Sequence, residues 1–439
     1  MLTRKMKNSG IKWIGEIPED WEIRKLKYIL KERKEKNNPI VTDNILSLSV
    51  ERGIFPYAEK TGGGNNSKSD LTAYKVTHPN DIVLNSMNIL AGAVGLSRYT
   101  GAVSPVYYTL YTTSEEINIT YYYYLFRTRE FQRSLLGLGN GIMMRESSTG
   151  KLNTIRMRIP MDKLAGLFLP LPSRRVQDLI VKSLAKDIKV VNKLINQTKQ
   201  SIKELKKYKQ SLITEVVTKG LDPNAEMKDS GIEWIGKIPK YWQTIKMKYL
   251  LSTPLLYGAN ESGIPYQEDL PRYIRITDIL NNNKLTDNNK LSLSLEKAKS
   301  FFLKENDILF ARSGASVGKT FLISKENVND TFAGYLIKAS FKDNVNAKYI
   351  FLFTQSSAFE NWKNAITIQS TIQNIGANRY NNLIISLPTY EEQQQIVQYL
   401  DKKIFTIDSL IEDKTKVIEE LENYKKSLIY EHVTGKKEV

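Results

Sequence analysis

Residues 6–21 read MKNSGIKWIGEIPEDW, and residues 227–242 read MKDSGIEWIGKIPKYW. Eleven of the 16 positions are identical, at a constant offset of 221. Leu26-Lys27-Tyr28 and Met247-Lys248-Tyr249 continue the match, and four of the five tryptophans (Trp13, Trp21, Trp234 and Trp242) lie inside it. A second repeat closes each half. Leu171-Pro172 opens a stretch ending Ser211-Leu212-Ile213, Leu387-Pro388 opens one ending Ser427-Leu428-Ile429, and the two align without a gap at an offset of 216. Self-similarity on this scale decides the architecture before any local element does. The chain reads as block, long helix, block, long helix, with boundaries at 1–170, 171–220, 221–386 and 387–439.

The closing stretches are helical by pattern. Leu-Pro punctuates the start, because proline lacks a donor and is tolerated in a first turn. Apolar residues then recur at spacings of four and three: Leu184, Ile188, Val191, Ile195, Ile202, Leu205 and Leu212. The second copy gives Leu400, Ile404, Ile407, Ile411, Ile418, Leu421 and Leu428. This is a heptad seam, broken in both copies at one register, by Thr198 and Lys414 and again by Lys209 and Lys425. Residues 173–220 carry 12 basic and 4 acidic side chains, and residues 389–436 carry 7 and 10. Opposite charge on matched seams predicts that the helices pair with each other. The short link at 219–223 lets the chain reverse, so the pair is expected to be an antiparallel coiled coil with one block at each end. The alternative is two amphipathic helices packed separately on their own blocks, and heptads of this length weigh against it.

The blocks have diverged, but their landmarks recur. Strand-like runs NILSLSVERG (44–53) and YIRITDILNN (273–282) come first. NDIVLNSMNILAGAVG (80–95) and NDILFARSGASVG (306–318) then predict an Asn-Asp turn into an apolar strand and a Gly-rich hairpin. Aromatic helices are expected at 120–131 and 348–359, and polar loops at 143–153 and 366–378. Each block is thus a mixed α/β domain. The run Tyr121–Tyr124 has the composition of a base-stacking platform. Its place at the start of an apolar helix favours core packing, with two of the four rings inside. The tryptophan repeats read as structural segments packed on the sheet, and residues 62–66 (GGGNN) as a flexible loop.

Composition bounds the function. The 439 residues carry 64 Lys+Arg against 47 Asp+Glu, a formal charge of +17, which points to a polyanionic partner, nucleic acid first. The two helical stretches contribute +8 and −3, so the rest of the chain carries +12. The absence of cysteine excludes disulfides, thiolate nucleophiles, Fe–S clusters and Cys-ligated zinc. His78 and His432 are the only histidines, and both read as structural. No apolar run approaches a membrane span, and residues 1–13 lack the apolar stretch of a secretory signal. Gly314–Thr320 imitates a phosphate loop but has three residues between its glycines, where the Walker pattern needs four. No G-x-G-x-x-G follows a strand, no Asn-Pro-Pro-aromatic motif is visible, and no carboxylate–lysine cluster singles out a nuclease.

The layout resembles the specificity (S) subunit of a type I restriction–modification system. The residues carrying the resemblance are the two SGI.WIG.IP..W segments, the two N-D-I strand starts and the two Leu-Pro helices. The Gln-rich opening Glu391-Glu392-Gln393-Gln394-Gln395 and the endings KKYKQSLITEVVTKG and ENYKKSLIYEHVTGK add to it. The resemblance covers essentially the whole chain. It implies an α+β fold with two mixed α/β target recognition domains, separated by two long helices in an antiparallel coiled coil, as a pseudo-two-fold repeat. It implies a noncatalytic subunit reading an asymmetric bipartite site on double-stranded DNA, one domain per half-site, with the coiled coil as the ruler for the gap. It also implies two methyltransferase (modification) subunits and restriction/translocase subunits as partners. Those partners would bring S-adenosylmethionine, ATP and Mg; this chain would bind no cofactor or metal and would be soluble and cytoplasmic. One departure is that the first helix opens Ser173-Arg174-Arg175-Val176-Gln177 where the second has Glu-Glu-Gln, which puts identical partner contacts at the two ends in question.

Arg suits guanine, and Asn and Gln suit adenine, at base edges. The candidate DNA contacts are Arg52, Asn85, Asn88, Arg145, Ser147, Ser148 and Lys151 in the first block. In the second they are Arg275, Thr277, Arg312, Ser313, Lys319, Gln369, Ser370, Gln373 and Asn374. Taken singly, each is equally readable as a solvated surface residue or a turn former. Two other functions compete: a nuclease with an unrecognised site, and a protein–protein adaptor whose charge is incidental.

Overall fold

The computed structural model describes residues 5–61, 70–141, 144–146, 152–154, 158–280, 283–367 and 374–438; at 144–146, 152–154, 315 and 367 it describes the backbone alone. The candidates Ser147, Ser148, Lys151, Gln369, Ser370 and Gln373 lie outside the described residues, as do 62–66.

The two helical repeats form long helices, Arg174–Lys219 (46 residues) and Tyr390–Val433 (44 residues). The chain divides into two compact units, residues 1–198 with 416–439, and residues 199–415. Each unit therefore holds one block and a stretch of both helices.

In the first unit the tryptophan repeat is a hairpin, Met6–Asn8 against Glu16–Pro18, with Ile14, Ile17 and Trp21 buried beneath it. Glu22–Lys25 then pairs antiparallel with Phe168–Leu171. The main sheet has the order Lys31–Glu32, Tyr107–Tyr111, Ile82–Asn85, Val94–Leu96, all antiparallel. The second unit repeats each of these parts. Met227–Asp229 pairs with Lys237–Pro239, and Gln243–Lys246 with Ile384–Leu387. Its main sheet runs Leu256–Tyr257, Leu336–Ala339, Ile308–Ala311, Thr320–Leu322. The N-D-I motif has the same physical basis in both units. Asn80 (φ 69°) and Asn306 (φ 71°) adopt the left-handed conformation that Asn tolerates best after Gly. The buried carboxylates that follow close the turn: Asp81 accepts the His78 N–H at 2.7 Å and Asp307 the Lys304 N–H at 2.9 Å.

Each block is joined to its helices by the same polar bonds. The buried Gln177 side chain accepts the Asn118 N–H at 2.8 Å and donates to the Pro172 carbonyl at 2.8 Å. Gln393 does the same with Asn346 (2.9 Å) and Pro388 (3.0 Å). Tyr121 donates to the Val433 carbonyl at 2.7 Å and Tyr349 to the Val217 carbonyl at 3.1 Å. Gly435 (φ 72°) and Gly220 (φ 78°) follow the helix ends and lie over Trp21 and Trp242 of the tryptophan repeats; a Cβ on Gly435 would stand 2.4 Å from Pro18.

Within each unit the helices run antiparallel. In the first, Ser183 meets His432 and Asn192 meets Lys425; in the second, Lys209 meets Asp408. All fourteen seam residues are buried or half-buried. Leu212, Leu400 and Ile407 belong to the core of the second unit, and Leu184 and Leu428 to that of the first. The breaks at Lys209 and Lys425 are filled across the pair. Lys209 Nζ reaches both Asp408 oxygens (2.8 and 2.7 Å), and Lys425 Nζ reaches Asn192 Oδ1 at 3.2 Å.

Several expectations of regular structure fail locally. The aromatic helix at 348–359 is two helices, Ala347–Phe353 and Ser357–Thr367, with the Ser356 hydroxyl accepting the Phe359 N–H at 3.3 Å. The aromatic helix at 120–131 is two helices, Ile119–Phe126 and Arg129–Ser134, because the Thr128 hydroxyl starts a new N-terminus by accepting the Phe131 N–H. Tyr121 and Tyr122 are core, and Tyr123 and Tyr124 half-buried. Among the described residues of the run at 273–282 the only strand is Tyr273–Ile274, since the Arg275 N–H and guanidinium fold back onto the buried Asp278 carboxylate.

Candidate nucleic-acid interface

In the second unit three of the candidates, Arg312, Ser313 and Asn374, meet where the main sheet ends. The strand Ile308–Ala311 is fully buried and delivers Arg312 to its exit. The main chain there is fixed on both sides: Arg312 N–H donates to the Tyr335 carbonyl (3.0 Å), and its own carbonyl accepts the Ile375 N–H (2.8 Å). Ser313 bridges to Asn374. The Arg312 guanidinium lies over the Tyr257 ring, 4.8 Å from its centroid. Tyr257 and Tyr335 are both exposed, at 40% and 65%. Two Tyr-Gly pairs in opposite order, Tyr257-Gly258 and Gly334-Tyr335, set them there. A Cβ on Gly258 would stand 2.3 Å from the Ala333 carbonyl oxygen, so only glycine allows this approach.

The other candidates differ in what holds them. Arg275 is committed to Asp278 (2.7 Å) and the Asn289 carbonyl (2.9 Å), and the Asp278 hydrogen bond raises its pKa further. Thr277 is exposed on the turn beside it. Lys319 turns inward to donate to the Ile279 carbonyl at 2.6 Å, and desolvation lowers its pKa. The imitation phosphate loop therefore holds its lysine against the protein. Asn374 is exposed.

In the first unit the candidates do not converge in the same way. Asn85 ends the strand Ile82–Asn85, is buried, and accepts the Met87 N–H at 3.0 Å. Asn88 is exposed ahead of the short turn Ile89–Ala91. Arg52 pairs with Glu59 and lies over Phe55 at 3.9 Å. Arg145 lies in Met144–Glu146, which pairs with Leu152–Thr154. Aligning the N-D-I motifs puts the buried Ser86 where the second unit has Arg312. The two sheet ends thus present different chemistry. Sequence reasoning did not single out Tyr257 and Tyr335; the available signal was a tyrosine beside glycine before and after, in sequence, the strand that carries Arg312.

Among the described residues, no group of three or more His, Cys, Asp and Glu side chains is placed to hold a metal ion, and no helix is long and apolar enough to cross a membrane.

Residues 260–423 match the family model described as the type I restriction modification DNA specificity domain. Over 96% of the chain and 93% of the relative, the protein is 24% identical to the type I restriction enzyme MjaVIII specificity subunit of Methanocaldococcus jannaschii. The chain is similar to type I restriction–modification specificity subunits, and residues 260–423 carry the match to their DNA specificity domain. Another relative, the putative MjaX specificity subunit of the same organism, is 25% identical over 96% of this chain and 95% of its own. Among solved structures, one described as the structural basis underlying complex assembly and conformational transition of the type I R-M system matches 96% of this chain and 99% of its own, with a TM-score of 0.70 at 14% identity. The HsdS subunit from Thermoanaerobacter tengcongensis matches 96% and 98%, with a TM-score of 0.51 at 15% identity. At such identities these likenesses concern the fold. The matched region includes Arg312 and Tyr335, and Tyr257 lies just ahead of it.

Proposed function

We propose that the chain is the noncatalytic reader and scaffold of a type I restriction–modification complex. Each block reads one half of a bipartite site on double-stranded DNA, and the paired helices act as the ruler that sets the gap. The observation carrying this reading is the duplicated unit, with the same sheet order and the same Gln and Tyr bonds to the helices but different side chains at the sheet end. Unlike residues at equivalent places, Ser86 and Arg312, support an asymmetric target. The net charge of +17 supplies phosphate affinity, and base-edge contacts supply the sequence. Arg52, Asn88, Arg275, Thr277, Arg312, Ser313 and Asn374 remain the proposed contacts among the described side chains. Two modification subunits would bring S-adenosylmethionine, and restriction/translocase subunits would bring ATP and Mg.

The docking ends are not equivalent. Glu392 accepts the Trp242 indole N–H (3.0 Å) and the Tyr241 hydroxyl (3.0 Å), whereas Val176 stands at the matching position of the first helix. The proposal is that the two modification subunits meet different surfaces.

Methylome sequencing of a host carrying this chain with an active modification subunit tests the function. The expected result is one new methylated-adenine motif in two unlike halves with a fixed gap, and exchanging residues 221–386 for another second block changes one half only. An active methyltransferase with no new motif favours the adaptor. DNA cleavage by the purified chain with Mg alone favours the nuclease.

A further inference from the structure

The second unit contains four arginines, and three are committed within the protein. Arg272 donates to the Thr286 carbonyl, Arg275 to Asp278, and Arg379 to the Ile366 carbonyl. Arg312 alone makes no side-chain hydrogen bond or ion pair among the described residues. Its Nε is buried and without a partner, whereas its terminal nitrogens reach solvent. Keeping part of a guanidinium from water without an acceptor is unfavourable. The cost is sustained by rigid surroundings. The flanking backbone is bonded on both sides, and the guanidinium carbon lies over the Tyr257 ring, 4.8 Å from its centroid. Tyr257 is itself held, its hydroxyl accepting the Ala377 N–H at 2.9 Å.

We propose that Arg312 on the Tyr257 ring reads a guanine in the half-site bound by the second block, with Tyr257 as its positioning residue. The inference rests on the reading of the chain as a DNA sequence reader. A donor-only fork held in one plane requires two acceptors side by side. In the major groove guanine offers O6 and N7, whereas adenine offers one acceptor and one donor and so leaves half of the fork unpaired. A phosphate also accepts two bonds but needs no fixed plane. The Tyr257 platform, which removes rotational freedom before contact, is what favours the base. Ser86 at the equivalent place in the first block predicts no counterpart in the other half-site.

The test is methylome sequencing of assembled complexes carrying Arg312→Ala, Arg312→Lys, Tyr257→Leu or Tyr257→Phe. In the wild-type motif, the half assigned to the second block by block exchange contains a guanine at a fixed position. Arg312→Ala and Arg312→Lys lower discrimination at that position about 10- to 100-fold, leaving the other half and the gap unchanged. Tyr257→Leu relaxes the same position in part, and Tyr257→Phe, which keeps the ring, restores it. The unchanged half reports that the variant folds and assembles. Uniform loss of methylation across all sites makes Arg312 a phosphate contact and overturns the proposal. So does relaxation at a position other than a G·C pair. Absence of any bipartite motif from the wild-type complex defeats the underlying reading instead.

Discussion

Tyr121 and Tyr349 hold their blocks to helix ends 312 and 132 residues away in sequence, each through one buried hydroxyl. Burial raises both pKa values, so each remains a neutral donor. Tyr349 also donates to the Ser386 carbonyl at 2.7 Å. Removing that hydroxyl leaves buried acceptors short of a donor, and Tyr349→Phe is expected to cost about 1–3 kcal/mol, read as a lower urea midpoint at unchanged slope. His432 contributes a pH dependence to the first unit. It is buried between Ser183 and the Leu428 carbonyl, and desolvation, with help from Lys437, lowers its pKa against the opposing pull of the Leu428 carbonyl, Asp187 and Glu431. Above the unfolded value of about 6.5 both states are neutral and the full stability is present. As pH falls below it, the unfolded chain takes the proton first, so stability is lost down to the folded value. The first long helix has Val216 at this place. His432→Val is expected to flatten the decline between about pH 7 and 5, measured by denaturant unfolding at each pH.

The long helices are the most legible elements, because a heptad repeat of apolar side chains is written directly in the chain. Their seam has the order expected of core packing. Leu400 is fully buried, and Leu400→Ala is expected to cost about 2–5 kcal/mol. The lysine breaks were visible as breaks, but their partners were not, since Asp408 and Asn192 become neighbours only once the helices pair. Lys209 and Asp408 retain 28% and 49% exposure, so solvent screens them. A double-mutant cycle on this pair is expected to give a coupling of about 0–1 kcal/mol, and a larger value would mark a role in fixing register. The shorter elements were harder to read. One hydroxyl at Thr128 splits a helix whose apolar pattern runs straight through, and one carboxylate at Asp278 turns a strand-like run into a loop.

At the scale of the molecule, the repeats made the fold class legible, because two copies of one pattern at fixed offsets leave few architectures. The site was legible only in part. Residue type pointed to Arg312, Arg275 and Lys319 alike, and only folded geometry separates the uncommitted guanidinium from the two spent on Asp278 and the Ile279 carbonyl. The ruler reading makes a prediction of its own. One heptad inserted into each long helix adds about 10 Å, and the methylated motif is expected to reappear with a gap longer by about three base pairs; an unchanged gap refutes the ruler. The composition of the units also bears on synthesis. Residues 199–415 form one unit from contiguous chain, whereas the first block shares its core with Leu428 and Val433. During translation the second block therefore has all of its partners first. The first block, although made earlier, stays open on the side that receives Val433 until the last helix has left the ribosome, and for that interval it depends on chaperones or on its own partial core to avoid aggregation.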